Sequence, residues 1–131
     1  MSTPQPAAVY SRPHPAFSAL VGLTSLGVLL QGLWAGLFLG TDDYGTWVSV
    51  HRHAGEATVV LGLLTTVAAV VWMRHRRPVV AATAALTVLL LGEYLLGHFA
   101  DDARGLLVVH VPLAMLLMAL AVYLPVLARR G

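Results

Sequence analysis

Long apolar stretches dominate this chain, and short polar links divide them into four. The runs are Phe17–Gly40, about Trp47–Met73, about Val79–Phe99 and about Gly105–Ala128. Each is near or above the ~20 helical residues needed to cross a hydrocarbon core of about 30 Å. They are continuous rather than alternating, which predicts helices and not half-buried strands. The links Thr41–Thr46, Arg74–Pro78 and Ala100–Arg104 are short enough to force neighbouring helices to run in opposite directions. The pattern therefore predicts an all-α, integral membrane, up-down-up-down four-helix bundle over residues 17–131. Residues 1–16, with prolines at 4, 6, 13 and 15, read as a flexible cytoplasmic tail. The apolar run that follows is far longer than a signal-peptide core, so it is expected to be retained as a span.

Composition agrees with this pattern. Of 131 residues 58% are hydrophobic and only 11% charged, with a mean hydropathy of +0.79; a soluble domain of this size needs more polar surface. The few charges are segregated. Arg12 precedes the first run, Arg74, Arg76 and Arg77 lie between the second and third, and Arg129 and Arg130 close the chain. The other two links carry Asp42–Asp43 and Asp101–Asp102, with Arg52 and Arg104 nearby. By the positive-inside rule, both termini and the middle link face the cytoplasm, in a bacterial cytoplasmic membrane. The Arg74–Arg77 cluster is also of a kind that holds anionic lipid or a partner protein. Basic residues are too few, and too poor in interleaved aromatics, for a nucleic-acid partner. Cysteine is absent, which excludes disulfides, thiolate metal sites and c-type haem attachment.

Histidine carries the candidate chemistry. His14 lies in the tail and His75 in the arginine cluster, and neither is expected to act. His51, His53, His98 and His110 all map to the outer ends of spans two, three and four, where ionisable side chains in a membrane point to function. His51 and His110 each lie a few residues into a span of the same direction, so they are expected at matched depth on facing helices. That is the arrangement two axial ligands of a haem require. One turn inward stand small residues, Gly55 and Ala114, and the His51 face continues through Thr58 and Gly62. A low helix face of this kind can accept a flat macrocycle. His53 points away from His51 and shares a face with Glu56; with His98 they form an alternative nitrogen-and-oxygen metal site. Which of His51 and His53 faces the core stays open. Gln31 and Glu93 are polar residues at comparable intramembrane depth, and a bond between them would tie spans one and three. A proton-handling role, or a bond to a quinone or haem substituent, is the sharper reading of Glu93.

A short internal repeat accompanies these residues. Leu91–Gly97 loosely echoes Gln31–Gly36; after each come an acidic link and a Val-His pair, 50–51 and 109–110, opening a long apolar run.

At His51–Arg52 and at Val-His-Val-Pro-Leu-Ala (109–114) the chain resembles one four-helix half of the haem A synthase family, over most of residues 17–128. The resemblance implies that His51 and His110 are axial haem ligands. Three residues before His51 stands Val48, where that family's catalytic half has a glutamate, and there is one four-helix unit rather than two. It therefore implies haem binding without haem hydroxylation by this chain alone. The chain also resembles small bacterial four-span membrane proteins with a His-x-x-x-Gly signature opening helix two, here His51 to Gly55, and a histidine opening helix four. That likeness implies an accessory subunit of a larger membrane complex.

Three functions follow as expectations. The first is a membrane protein holding one b-type haem near the outer face, as a redox or haem-handling subunit working with a quinone or redox protein. The second is a non-redox accessory or assembly subunit, packed on another membrane subunit or on its own copies through small residues such as Gly22, Gly27, Gly32 and Gly36. The third is a metal-binding membrane protein using His53, Glu56 and His98. No catalytic residue is assigned.

Overall fold

The computed structural model describes residues 12–130. Most of the expected tail, residues 1–11, lies outside the described residues, and so does Gly131. Four helices follow one another: α1 (Pro15–Gly40), α2 (Tyr44–Trp72), α3 (Arg77–Phe99) and α4 (Leu107–Arg129), the last entered through a single 3-10 turn at Arg104–Leu106. All are long and apolar enough to cross a membrane.

Local chemistry sets the helix starts. Pro15 and Pro78 sit at the first positions of α1 and α3, where a missing N–H costs nothing. The last two residues of the expected tail are therefore already helical. α2 begins three residues before its apolar run because the Asp43 carboxylate accepts the Thr46 backbone N–H at 3.2 Å, capping the helix.

The helices form a closed ring. Each packs on its sequence neighbours, and α1 packs on α4, whereas the diagonal pairs α1/α3 and α2/α4 have no Cα atoms within 8 Å of each other. Buried residues recur with one spacing in every helix: Phe17, Val21, Thr24 and Val28; Thr58, Gly62, Thr65 and Ala69; Val79, Thr83, Leu86 and Leu90; Leu117, Ala121, Leu124 and Ala128. Alternating steps of four and three are the seam of knobs-into-holes packing.

This core is partly polar. Thr24 and Thr65 hydroxyls meet at 2.8 Å between α1 and α2, and Thr66 and Thr87 at 2.9 Å between α2 and α3. Ser25 donates to the carbonyl of Ala121 at 2.7 Å. That carbonyl is the one Pro125 leaves without its helical partner, so the proline creates the acceptor that ties α1 to α4. Between neighbouring helices of this core, close approach needs glycine at two points. A Cβ on Gly27 would stand 2.7 Å from Thr58 Oγ1, and one on Gly62 3.0 Å from Leu90 Cδ1. Thr58 and Gly62 are thus spent on helix packing, against α1 and α3, rather than lining a groove below His51. The outer surface is Leu and Val: Leu29, Val67, Val88, Val108 and Val122 are all more than half exposed. Threonines within the core and an exterior of leucine and valine set this bundle apart from a water-soluble one, whose outer faces are polar.

The seam also exposes the repeat. The shift carrying the α1 stripe onto the α3 stripe carries Gln31 onto Glu93. The shift carrying the α2 stripe onto the α4 stripe carries His51 onto His110 and Gly55 onto Ala114. The equivalence is positional, two residues away from the register that the match of Leu91–Gly97 with Gln31–Gly36 implies.

Candidate functional site

The packed seam occupies only one half of the bundle. From residue 29 to 57 nothing is buried, and from 91 to 116 only Ala100 is. His51, His110, Gln31 and Glu93 all belong to this looser half, where polar side chains meet without a hydrophobic core around them.

His51, on the second turn of α2, sets Nδ1 3.2 Å from the backbone carbonyl oxygen of Gln31 on α1. His110, near the start of α4, sets Nδ1 3.2 Å from the backbone carbonyl oxygen of Glu93 on α3. The Glu93 carboxylate oxygen Oε1 is also 3.2 Å from that nitrogen. A carbonyl oxygen can only accept, so in both residues Nδ1 is the donor, and in the neutral imidazole Nε2 then keeps its lone pair. Repeat-equivalent histidines are thus held in the same tautomer by repeat-equivalent partners. The two imidazoles stand on helices that are diagonal across the ring.

The surroundings hold these rings in place. Phe38 meets the His51 ring edge-on at 5.3 Å. His110 packs against α3, where a Cβ on Gly97 would come within 2.9 Å of its Cε1. Side chains of His110 and Glu93 are only 17% and 13% exposed. Gln31 Nε2 and Glu93 Oε2 are both buried without a hydrogen-bond partner, so the expected Gln31–Glu93 bond does not tie α1 to α3. Glu93 turns instead to His110. A buried donor and a buried acceptor left unsatisfied are costly, on the order of 1–3 kcal/mol each, unless something else supplies their partners. Gly55 faces Gln31 Oε1 and Tyr94 at ordinary contact distance, whereas Ala114 is exposed.

His53 has a different setting. Its side chain is 73% exposed and its Nδ1 lies 3.5 Å from Glu56 Oε2; it is His51 that turns toward the neighbouring helix. Tyr94 donates to the other Glu56 oxygen at 3.3 Å, and His98 stacks on Tyr94 at 5.9 Å. The structure thus links His53 to Glu56 directly and His98 to them only through Tyr94. Among the described residues no three His, Cys, Asp or Glu side chains are grouped to hold a metal ion. Nearby, Arg52 bonds Asp101 at 2.7 Å, joining α2 to the link after α3.

Sequence reasoning missed Gly97, Phe38 and the two carbonyls that orient the histidines. Gly97 was visible as part of the repeat, but no sequence signal says that a ring rests on it.

Comparison with protein-family models, with curated proteins and with solved structures found no match for this chain.

Proposed function

We propose that this chain is an up-down-up-down four-span protein of the bacterial cytoplasmic membrane that binds one b-type haem through His51 and His110 near the outer face, as a redox or haem-handling subunit. The observation that carries the reading is the matched pair of imidazoles, each with Nδ1 donated to a carbonyl and Nε2 free to ligate. The donor set fits a haem: two neutral nitrogens on diagonal helices, with a buried amide N–H and a buried carboxyl oxygen still lacking partners beside them. Gln31 and Glu93 would bind polar substituents of the macrocycle, and Gly97 would leave room for the His110 ring to keep its orientation. When bound, a b-type haem supplies one-electron transfer. The residues of this chain would hold the two ligands in one tautomer through the Gln31 and Glu93 carbonyls. A quinone or a redox protein is the expected partner, because the histidine pair serves only one face.

The membrane part of the proposal rests on the Leu- and Val-covered exterior and the threonine-bearing interior. Trp34, Trp47, Tyr44 and Tyr94 gather at the histidine end, as an interfacial belt does. Orientation follows the arginines, which place both termini in the cytoplasm. A second reading, an accessory subunit, draws on Gly22, Gly32 and Gly36 of α1, which meet open space and could seat another helix or a second copy.

The visible spectrum of the detergent-purified chain tests the haem. A Soret band and a reduced α-band are expected, lost in His51→Ala and in His110→Ala and kept in His53→Ala and His98→Ala. Folded protein without colour, or colour that survives loss of His51 and His110, would reject the assignment.

A further inference from the structure

The opposite end of the bundle carries a second feature that the haem reading leaves unused. A cavity of about 430 Å³ opens there, lined by Arg12, Pro13, His14, Pro15, Trp72, Met73 and His75. Its origin lies in a difference between the two helix pairs. Under the repeat, His14 before α1 corresponds to Arg76 before α3. Arg76 reaches across to the last turn of α4 and donates to the carbonyls of Leu127 and Ala128, closing that pair. His14 instead caps its own helix through Ala16 N–H and stacks on Trp72 of α2 at 4.4 Å, leaving the space beside it open.

The charge around this cavity is of one sign. Arg12, Arg74, Arg76, Arg77, Arg129 and Arg130 all belong to the tail, the α2–α3 link and the C-terminus, whereas all six Asp and Glu residues lie between positions 42 and 102 in the histidine half. Among the described residues no Asp or Glu side chain pairs with Arg12 or with the arginines beside His75. The lining itself is divided: Arg12, His14 and His75 offer N–H donors, while Trp72, Met73 and the two prolines form an apolar wall. A group that is anionic at one end and apolar at the other satisfies both parts.

We propose that this cavity is a binding site for the phosphate headgroup of an anionic phospholipid, with Arg12 and His75 on the phosphate and Trp72 against the glycerol and upper acyl chain. The inference rests on the membrane-spanning part of the preceding proposal and is independent of the haem.

Native mass spectrometry of the full chain in detergent, with added phosphatidylglycerol, phosphatidylcholine or inorganic phosphate, tests it. Phosphatidylglycerol should be retained at least tenfold better than phosphatidylcholine. Arg12→Ala should weaken retention about fivefold or more, as expected for one arginine at a lipid surface. Arg130→Ala removes the same charge from the same end but not from the cavity, and should change retention less than twofold. In a Trp34→Phe, Trp47→Phe background, brominated phosphatidylglycerol should quench Trp72 more strongly than brominated phosphatidylcholine. Equal losses in Arg12→Ala and Arg130→Ala would overturn the site in favour of diffuse attraction. Full displacement of the lipid by inorganic phosphate at equal concentration would overturn it in favour of a free-anion site. Recovery of the chain from the aqueous fraction without detergent would instead reject the membrane reading.

Discussion

Among the described residues, 17–28, 58–73, 79–90 and 117–128 supply every buried side chain but Ala100, most of them on one repeated spacing. Residues 29–57 and 91–116 lie on the same four helices, yet they bury no seam and instead gather histidine, glutamine, glutamate and aromatic side chains. The contrast shows how one bundle can separate stability from chemistry. The packed half holds the helices at fixed positions, and the looser half then presents polar groups whose geometry the packing has already set. A site built into the seam would have to displace the contacts that hold the ring together.

Substitutions that break this contrast should act in a graded order. Leu117→Ala, in the packed half, should destabilise the bundle by about 2–5 kcal/mol in a denaturant titration in micelles. Met115→Ala, two residues away but 72% exposed, should leave the midpoint within error. If both act alike, the two halves do not differ. Gly27→Ala forces a methyl to within 2.7 Å of Thr58 Oγ1 and should cost about 1–3 kcal/mol. Its counterpart in the looser half, Gly32→Ala, meets open space and should be neutral by the same titration.

A smaller effect sharpens the role of the threonines. A double-mutant cycle on Thr24→Val and Thr65→Val should give a coupling near 0.6 kcal/mol, typical of interhelical hydrogen bonds in membrane proteins. A coupling of zero would mean that the hydroxyls bond only within their own helices. The smallest change is expected at Arg52→Ala. Its pair with Asp101 is exposed, 43% and 65% for the two side chains, so the loss should fall at the low end of ~0.2–1 kcal/mol and shrink as salt is added.

Much of this architecture was legible in the order of residues. Four helices were, because an apolar run of that length has no other way to satisfy its backbone without water. Their bounds shifted by at most three residues, and the shifts trace to caps that hydropathy does not register: Asp43 starting α2, and Pro15 and Pro78 opening α1 and α3. That His51 and His110 each stand near the start of their helix was legible from the apolar runs; their pairing on one haem is part of the proposal. The repeat was visible only as a short echo, because its halves share positions rather than residue types; Thr58 answers to Leu117, and Gln31 to Glu93. A bond between Gln31 and Glu93 was the expected use of two polar residues at one depth. It failed because α1 and α3 are diagonal in the ring and because His110 lies closer to Glu93.

By itself, then, the sequence determined the helical class, the charge asymmetry and the concentration of histidines at one end, since these depend on which residues occur and in what order. Tertiary structure alone decided which imidazole turns inward, which ring nitrogen meets a carbonyl, why position 97 is glycine, and that Thr58 and Gly62 pack rather than line a groove. Those outcomes depend on a carbonyl, a ring or a methyl contributed by another helix, at distances of about 3 Å that no spacing along one chain segment encodes.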